Sequence, residues 1–397
     1  MKKNGSCFRL GCTGLGLTGV LLAAGVLVTM SIWPSIGAQG ADFLRGLFGD
    51  EFVARLETGY YGINDTLQNW AYGSGLEKAS APWAPPTPAS VVSDQAAPLS
   101  QPATSVPEQH PVVNASSPAK LPTELQPLVP LGSLQGEGLW SAFVQNAAGQ
   151  PLAYRTFLQP DAARPYAVVA VVAFDMSRIR LHYVLGSYEP YAPNAPARSG
   201  AMPEADKADG VLVAMFNGGF KGRHGAFGAM ADQVVALPAI DGLGTLAIYR
   251  NGSLALGAWG ADIDPAGDML AWRQNGPLVV RHGQVNPQID DNSPQEWGYT
   301  IDSVAPTWRS GVGLSADGGW LYYFCGPNLS MEALAKAMQA AGVENAIQLD
   351  INTFWVHFVA VHPDGTLEAL FPAMMKEDLN RYLHPYTRDF FYVTALQ

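Results

Sequence analysis

Residues 306–358 (PTWRSGVGLSADGGWLYYFCGPNLSMEALAKAMQAAGVENAIQLDINTFWVHF) constrain the fold more than any other stretch, because they spell four consecutive elements with short connections. Residues 309–315 and 320–325 have strand character and flank Ala316-Asp317-Gly318-Gly319, whose Asp-Gly pair favours a tight hairpin. The run WLYYFC is almost continuously apolar, which predicts a strand buried on both faces. Ser330 is placed to cap a helix, its hydroxyl accepting from a first-turn N–H, with Leu329 and Leu334 as a hydrophobic staple. Leu334, Ala337, Met338 and Ala341 share one helix face, and Gly342 ends the helix as a C′ glycine. Residues 345–349 then form a strand that delivers Asp350 at its end. A charge directly after a buried run needs a chemical reason.

With 397 residues, 48% of them hydrophobic, the chain has enough apolar mass for a full-sized core. Its net charge of −11 argues against a nucleic-acid partner, which requires a clustered basic surface. Cys7 and Cys12 lie at the N-terminus and leave Cys325 alone in the globular part, so no structural disulfide is expected.

The N-terminal third divides by composition. Lys2, Lys3 and Arg9 precede an uncharged run at 10–41, whose apolar heart at 17–33 approaches the roughly 20 residues that a bilayer core requires. Cleaved signal peptides have a shorter apolar region of about 7–15 residues. Residues 1–41 therefore read as a cytoplasmic tail and signal anchor; cleavage among the small residues of 35–41 is the alternative. The positive-inside rule predicts a single-pass cell-membrane protein with its C-terminal domain outside the cytoplasm. In 42–75, Phe43, Leu44, Leu47, Phe48, Phe52, Val53 and Leu56 recur at helical spacing, and Tyr60, Ile63, Leu67 and Trp70 continue the stripe loosely. They predict a juxtamembrane amphipathic helix, on the membrane face or in a self-associating stalk. Residues 76–132 are rich in Pro, Ala and Ser without periodicity and read as a linker. At about 3.1 Å per residue it would span on the order of 150 Å, which suits a domain held clear of a membrane.

Residues 133–397 form the globular domain. Residues 166–174 (YAVVAVVAF) predict a buried strand, with 179–185 as its partner. Residues 211–216 predict another that runs into Asn217-Gly218-Gly219-Phe220. Asn251-Gly252 and His282-Gly283 mark two further hairpins, and the aromatic run 390–393 is expected to return to a sheet. Many hairpin turns and few helical patterns predict an α+β domain with mostly antiparallel sheet.

Polar residues reach the ends of buried strands at three places: Asn217-Gly218-Gly219, Arg309-Ser310-Gly311, and Asp350 with Asn352 and Thr353. The two glycines permit close approach of backbone N–H groups to a ligand. Arg309 offers a planar fork for a phosphate. His224, in a glycine-rich loop after the Asn217 turn, is a further pocket candidate. Glu189 and Asp302 are candidate second acids. Asp262, Asp264 and Asp268 echo a calcium loop but lack its closing glutamate, so no metal is assigned. No zinc-protease, serine-hydrolase or P-loop motif is present, and no cofactor is expected.

Taken in order, the Asn-Gly-Gly-Phe turn, an Arg-Ser-x-x-Gly strand (Arg309, Ser310, Gly313), a hairpin, a short helix and a strand ending in Leu349-Asp350 resemble the phosphodiester glycosidase domain family. This is the family of N-acetylglucosamine-1-phosphodiester α-N-acetylglucosaminidases. The resemblance covers roughly residues 166–358. It implies hydrolysis of a sugar 1-phosphodiester at the sugar–oxygen bond, with a glycan or sugar phosphate as partner. Asp350 would be base or nucleophile, Arg309 would hold the phosphate, and Asn217 with the Gly218 and Gly219 amides would orient oxygens. Ser310, Asn352, Thr353 and His224 would line the substrate site. A catalytically silent glycan-binding relative and an envelope structural or assembly factor are the alternatives; oligomeric state is not addressed by the sequence. Where the family carries glycines and then serine after the aspartate, this chain has Ile351-Asn352-Thr353-Phe354-Trp355. The β-branched Ile351 and Thr353 resist positive φ. This predicts a continuing strand that sends Phe354 and Trp355 to opposite faces, one of them bordering the cleft.

Overall fold

The computed structural model describes residues 44–83, 124–289, 306–372 and 378–396, together with residues 40, 297 and 374. Eighteen strands, numbered in chain order, form three sheets among these residues, and their strand pairs are antiparallel. The largest sheet runs β1 (Ser141–Gln145), β2 (Pro151–Leu158), β3 (Val169–Asp175), β14 (Trp320–Leu329), β13 (Thr307–Ser315), β15 (Val343–Ile351), β11 (Leu278–Arg281) and β12 (Gln284–Val285). A second runs β7 (Val234–Leu237), β6 (Ala229–Ala231), β10 (Met269–Gln274), β8 (Gly244–Tyr249) and β9 (Leu254–Ala258). The third runs β17 (Leu367–Ala369), β16 (Phe358–Val361), β5 (Leu212–Asn217), β18 (Phe390–Ala395) and β4 (Ile179–Val184). With few helices beside these sheets, the domain is α+β.

One core joins all three sheets, through Val172 and Phe174 of β3, Phe216 of β5, Leu246 of β8, Ile347 of β15 and Phe391 of β18. Phe216 lies at its centre, with ring centroids 4.8 Å from Tyr323 and 5.4 Å from Phe391. The opposite face of the largest sheet is covered by a helix, Met331–Ala340. It starts where the sequence predicts: Ser330 Oγ accepts from Ala333 N at 3.1 Å, and Gly342 takes φ +76° after its end. Leu334, Ala337 and Met338 are fully buried against Val171, Phe324 and Ala346. Truncating Leu334 to alanine would cost about 2–5 kcal/mol, the range for emptying a packed leucine site.

One expectation is corrected. β4 does not pair with β3, whose two edges are already taken by β2 and β14; it joins the third sheet, with Tyr183 opposite Phe391. The stretch read as a linker follows a helix, and its residues 84–123 lie outside the described ones. That helix, Asp50–Gly73, is docked on the domain: Asp65 accepts from Arg164 Nε at 2.8 Å and from Tyr166 Oη at 2.7 Å. Trp83 packs edge-on against Phe157 and beneath the Arg155 guanidinium. Among the described residues no helix is long and apolar enough to cross a membrane; the apolar run at 10–41, residue 40 excepted, lies outside them.

Candidate active site

The three sheets converge at one place, where β5 ends in Asn217, β15 ends beyond Asp350, β10 ends beyond Arg273, and β18 begins after Arg388-Asp389. Asn217 ties these ends together. Its Nδ2 donates to Ser310 Oγ and to the Gly218 carbonyl, both at 3.0 Å, and its Oδ1 accepts from Tyr323 Oη at 2.8 Å and His357 N at 3.2 Å. Ser310 in turn donates to the Asp350 carbonyl at 2.7 Å. Asn217 and Ser310 are thus saturated with internal partners and fix the backbone that presents Asp350.

Asp350 owes its direction to a β-bulge. Arg309 is opposite Ile351 and Gly311 opposite Gln348, so β15 carries one residue more than β13 over this interval. Gln348 Nε2 points to the Trp297 carbonyl, whereas Asp350 is turned to the junction and forms an ion pair with Arg388. Its other oxygen accepts from Ile351 N at 2.8 Å. Burial is the largest influence on this carboxyl and lifts its pKa from 3.8 to about 6, against the Arg388 charge and the Ile351 N–H, which hold it down. Lys221 also holds it down, and Asp389 adds to the rise. Burial works against the Arg388 charge, yet the Asp350 and Asp389 carboxylates outweigh it and keep that pKa above its ordinary value.

Asp389 forms a second buried pair, with Arg273 Nε at 2.8 Å. The same oxygen accepts from Tyr183 Oη at 2.9 Å and Gly219 N at 3.2 Å, and the Asp389 carbonyl accepts from Gly218 N at 3.1 Å. Both glycine amides are therefore spent on Asp389 and do not face a ligand. The glycines are needed for close packing. A Cβ on Gly218 would strike the Asp389 carboxylate, and one on Gly219 would lie 2.7 Å from Asn275 Oδ1 and 2.8 Å from Arg273 Cζ.

Arg309 is not brought to this cluster. Neighbours on a strand face opposite ways, and with Ser310 turned to Asn217 the Arg309 side chain enters the helix-covered face of the sheet. There it is fully buried and donates to the Leu329 carbonyl at 2.9 Å and the Trp297 carbonyl at 3.1 Å. Burial pushes its pKa down to about 10. The loop after Asp350 also differs from expectation. The strand stops at Ile351, and Asn352 takes the positive φ, +87°, that Ile351 and Thr353 resist. A turn over 352–355 follows, in which Trp355 N donates to the Asn352 carbonyl at 3.2 Å. Thr353 is exposed on it. Phe354 and Trp355 do not part to opposite faces but touch, with ring centroids 4.6 Å apart.

Trp355 covers the cations of this cluster. Its ring lies 4.3 Å from the Arg388 guanidinium and 4.9 Å from Lys221 Nζ, so it stacks on two cations at once. His224 is half-buried beside them. Burial first, then the charges of Arg45, Arg223, Lys221 and Arg388, push its pKa to about 3, so it is neutral. Glu189 is buried next to this group and accepts from Tyr191 N and Gly222 N, at 2.8 and 2.9 Å. Asp302 lies outside the described residues. Asp262 caps its own turn, accepting from Ala258 N at 2.8 Å, and pairs with Arg281. Among the described residues no cluster of potential metal ligands occurs.

The sequence reading missed Arg388, Asp389, Arg273 and Lys221. A signal was present: Arg388-Asp389 stand at the edge of an apolar strand, as Asp350 does. Arg273 likewise sits inside an otherwise strand-like run (MLAWRQ).

Residues 211–350 match the family profile described as phosphodiester glycosidase. The catalytic domain of zebrafish N-acetylglucosamine-1-phosphodiester alpha-N-acetylglucosaminidase, auto-inhibited by its pro-peptide, is similar in structure. It is 14% identical over 65% of this chain and 88% of that one, with a TM-score of 0.42. A hypothetical protein from Synechocystis is 12% identical over 58% of this chain and 59% of its own, with a TM-score of 0.38. A putative exported protein from Burkholderia pseudomallei is 12% identical over 58% and 74%, with a TM-score of 0.29. No curated protein matches the chain.

Proposed function

We propose, on the premise that residues 211–350 match the phosphodiester glycosidase family, that this domain is a hydrolase of that type acting on a sugar 1-phosphodiester. The observation that supports it best is Asp350: a buried carboxyl with its pKa lifted to about 6, paired with Arg388 and facing Lys221 at the junction of three sheets. In this reading Arg388 and Lys221 receive the phosphodiester anion. Drawing Arg388 toward the phosphate weakens its hold on Asp350, which raises the basicity of the carboxylate as substrate arrives. Asp350 then takes a proton from water as that oxygen attacks the anomeric carbon, or attacks that carbon itself to form a glycosyl ester that water cleaves in a second step, releasing the sugar and restoring the carboxylate. The sugar–oxygen bond breaks and its electron pair leaves with the phosphate. A phosphate monoester with a pKa of about 6 departs without prior protonation, so one carboxylate suffices where most glycosidases use two. Asp389, held by Arg273, Tyr183 and Gly219, positions the Gly218-Gly219 turn and the neighbouring Arg388.

A glycan-binding domain without turnover is the second reading. It is favoured by the 352–355 turn, which lays Trp355 over both cations where the family carries glycines. The discriminating assay uses a panel of nitrophenyl and sugar 1-phosphodiesters. Turnover that Asp350→Asn abolishes, with ligand binding retained, supports the hydrolase. Binding without turnover in the wild type supports the second reading, and absence of both overturns the two together.

We also propose that residues 10–41 anchor the chain in the cell membrane with the domain outside the cytoplasm, supported by the bias of Lys2, Lys3 and Arg9. An impermeant thiol reagent should label Ser100→Cys on intact cells; labelling only after lysis would overturn that orientation.

A further inference from the structure

The helix Asp50–Gly73 has two opposite faces with different fates. At 100° per residue, Phe52, Leu56, Ile63, Leu67 and Trp70 fall within an arc of about 60°, while Asp65 lies about 180° away. The Asp65 face is bound to the domain. Its carboxylate takes Arg164 Nε and Nη2 at 2.8 and 2.9 Å, Tyr166 donates to it, and Tyr72 stacks on Tyr166 at 4.7 Å. The other face is bare: Phe52, Leu56, Ile63, Leu67 and Trp70 are 44%, 50%, 56%, 59% and 64% exposed. The stripe is about 27 Å long at 1.5 Å per residue, and no charged residue falls within its arc. Scattered exposed leucines are ordinary, but a continuous stripe of this length marks a contact surface.

The rest of the chain indicates what covers it. The uncharged run at 10–41 is long enough for a bilayer core and ends just before this helix. A chain that leaves a bilayer at residue 41 brings the next helix to the lipid surface, with its apolar face unpaired. We propose that the stripe from Phe52 to Trp70 seats in the outer leaflet, so that the helix is clamped between lipid on one side and the domain on the other. The domain is then held against the membrane. The proline-rich segment cannot lift it away, because the helix before that segment is itself fastened to Arg164 and Tyr166. This inference rests on the anchoring reading and not on the catalytic one. An uncharged stripe also makes the docking insensitive to salt.

The test uses the full chain in phosphatidylcholine vesicles, with Cys7 and Cys12 replaced by serine and a nitroxide on Leu67→Cys. Leu56→Cys is the independent second site, and Asp364→Cys, in an exposed turn, gives the aqueous baseline. Both helix positions are exposed, so the labels remove no packing. Collisional relaxation by oxygen should exceed that by a water-soluble nickel complex several-fold at both stripe positions, unchanged in high salt, and fall below it at the baseline position. Aqueous accessibility at both stripe positions would overturn the docking. Spin–spin broadening that disappears on dilution with unlabelled chain would also overturn it, by assigning the stripe to a second copy. Enzyme assays on the same samples report separately on the catalytic reading.

Discussion

The Arg388 guanidinium is paired with the Asp350 carboxylate on one side and covered by the Trp355 ring, 4.3 Å away, on another. Charge, counter-charge and aromatic lid are thus contributed by segments that are distant in sequence or belong to different sheets. Each can be altered separately.

The pH response follows from Asp350. Its pKa is raised by burial to about 6, so the ionised form needed as base or nucleophile grows in as pH rises through 6. Activity should therefore rise across pH 5–7. Arg388 holds this pKa down, so Arg388→Met should move the acidic limb to higher pH in a pH–rate profile. The same shift bears on stability. The folded state binds this proton more tightly than the unfolded chain, so the contribution of Asp350 is most favourable below about 4. It is lost as pH rises through about 6. The difference in Tm between wild type and Asp350→Asn should change across pH 4–6 and level off above it.

Arg388 and Arg309 should separate cleanly. Arg388→Met should weaken phosphate-bearing ligands by about 1.5–3 kcal/mol, the scale of a charged hydrogen bond, and leave phosphate-free sugars little affected. Arg309→Met orphans the Leu329 and Trp297 carbonyls and should lower stability by about 1–3 kcal/mol for each unpaired group, with phosphate affinity preserved in the folded fraction. Calorimetric titration and denaturant unfolding of the two variants check both statements. Loss of phosphate binding in folded Arg309→Met would return that residue to the site.

Gly218→Ala and Gly219→Ala should each be damaging for steric rather than conformational reasons. The added Cβ meets the Asp389 carboxylate in one case and Asn275 with Arg273 in the other. Overpacking of this kind costs about 1–3 kcal/mol. Displacing Asp389 should also disturb Arg388, so activity should fall further than stability; ordinary activity in a stable Gly218→Ala variant would refute the role given to this contact.

Trp355 should show opposite effects on two ligands. Trp355→Ala uncovers Arg388 and Lys221, so inorganic phosphate should bind more tightly. A sugar phosphate, whose sugar would stack on that ring in the glycan-binding reading, should bind more weakly. Parallel titrations decide the matter: a loss for both ligands would mean that the ring chiefly holds the cations in place.

How far the sequence reached is clearest in the 306–358 block. The Asp317-Gly318 turn, the Ser330 cap, the Gly342 stop and the strand that delivers Asp350 all depend on interactions within a few residues, and each was legible from residue type and spacing. The Asn-Gly-Gly turn was legible as a turn but not in its purpose. Its amides are bound by Asp389, and that partner lies far along the chain. Arg309 failed for a related reason. Its neighbour Ser310 is claimed by Asn217, and alternation then sends the arginine to the other face.

The sequence by itself determined the antiparallel α+β character, the local hairpins and helix, and Asp350 as the charge at a strand end. These follow from propensity, turn chemistry and periodicity, which act over a few residues. Only the tertiary structure decided which cation Asp350 meets, because the bulge opposite Arg309 turns Asp350 away from the Gln348 side. Arg388 arrives just ahead of a strand of the third sheet, some 40 residues later in the chain. It also decided that the helix before the proline-rich segment folds back on Arg164 and Tyr166. No local pattern encodes an ion pair across 99 residues; it forms because the folded domain presents both partners at one surface.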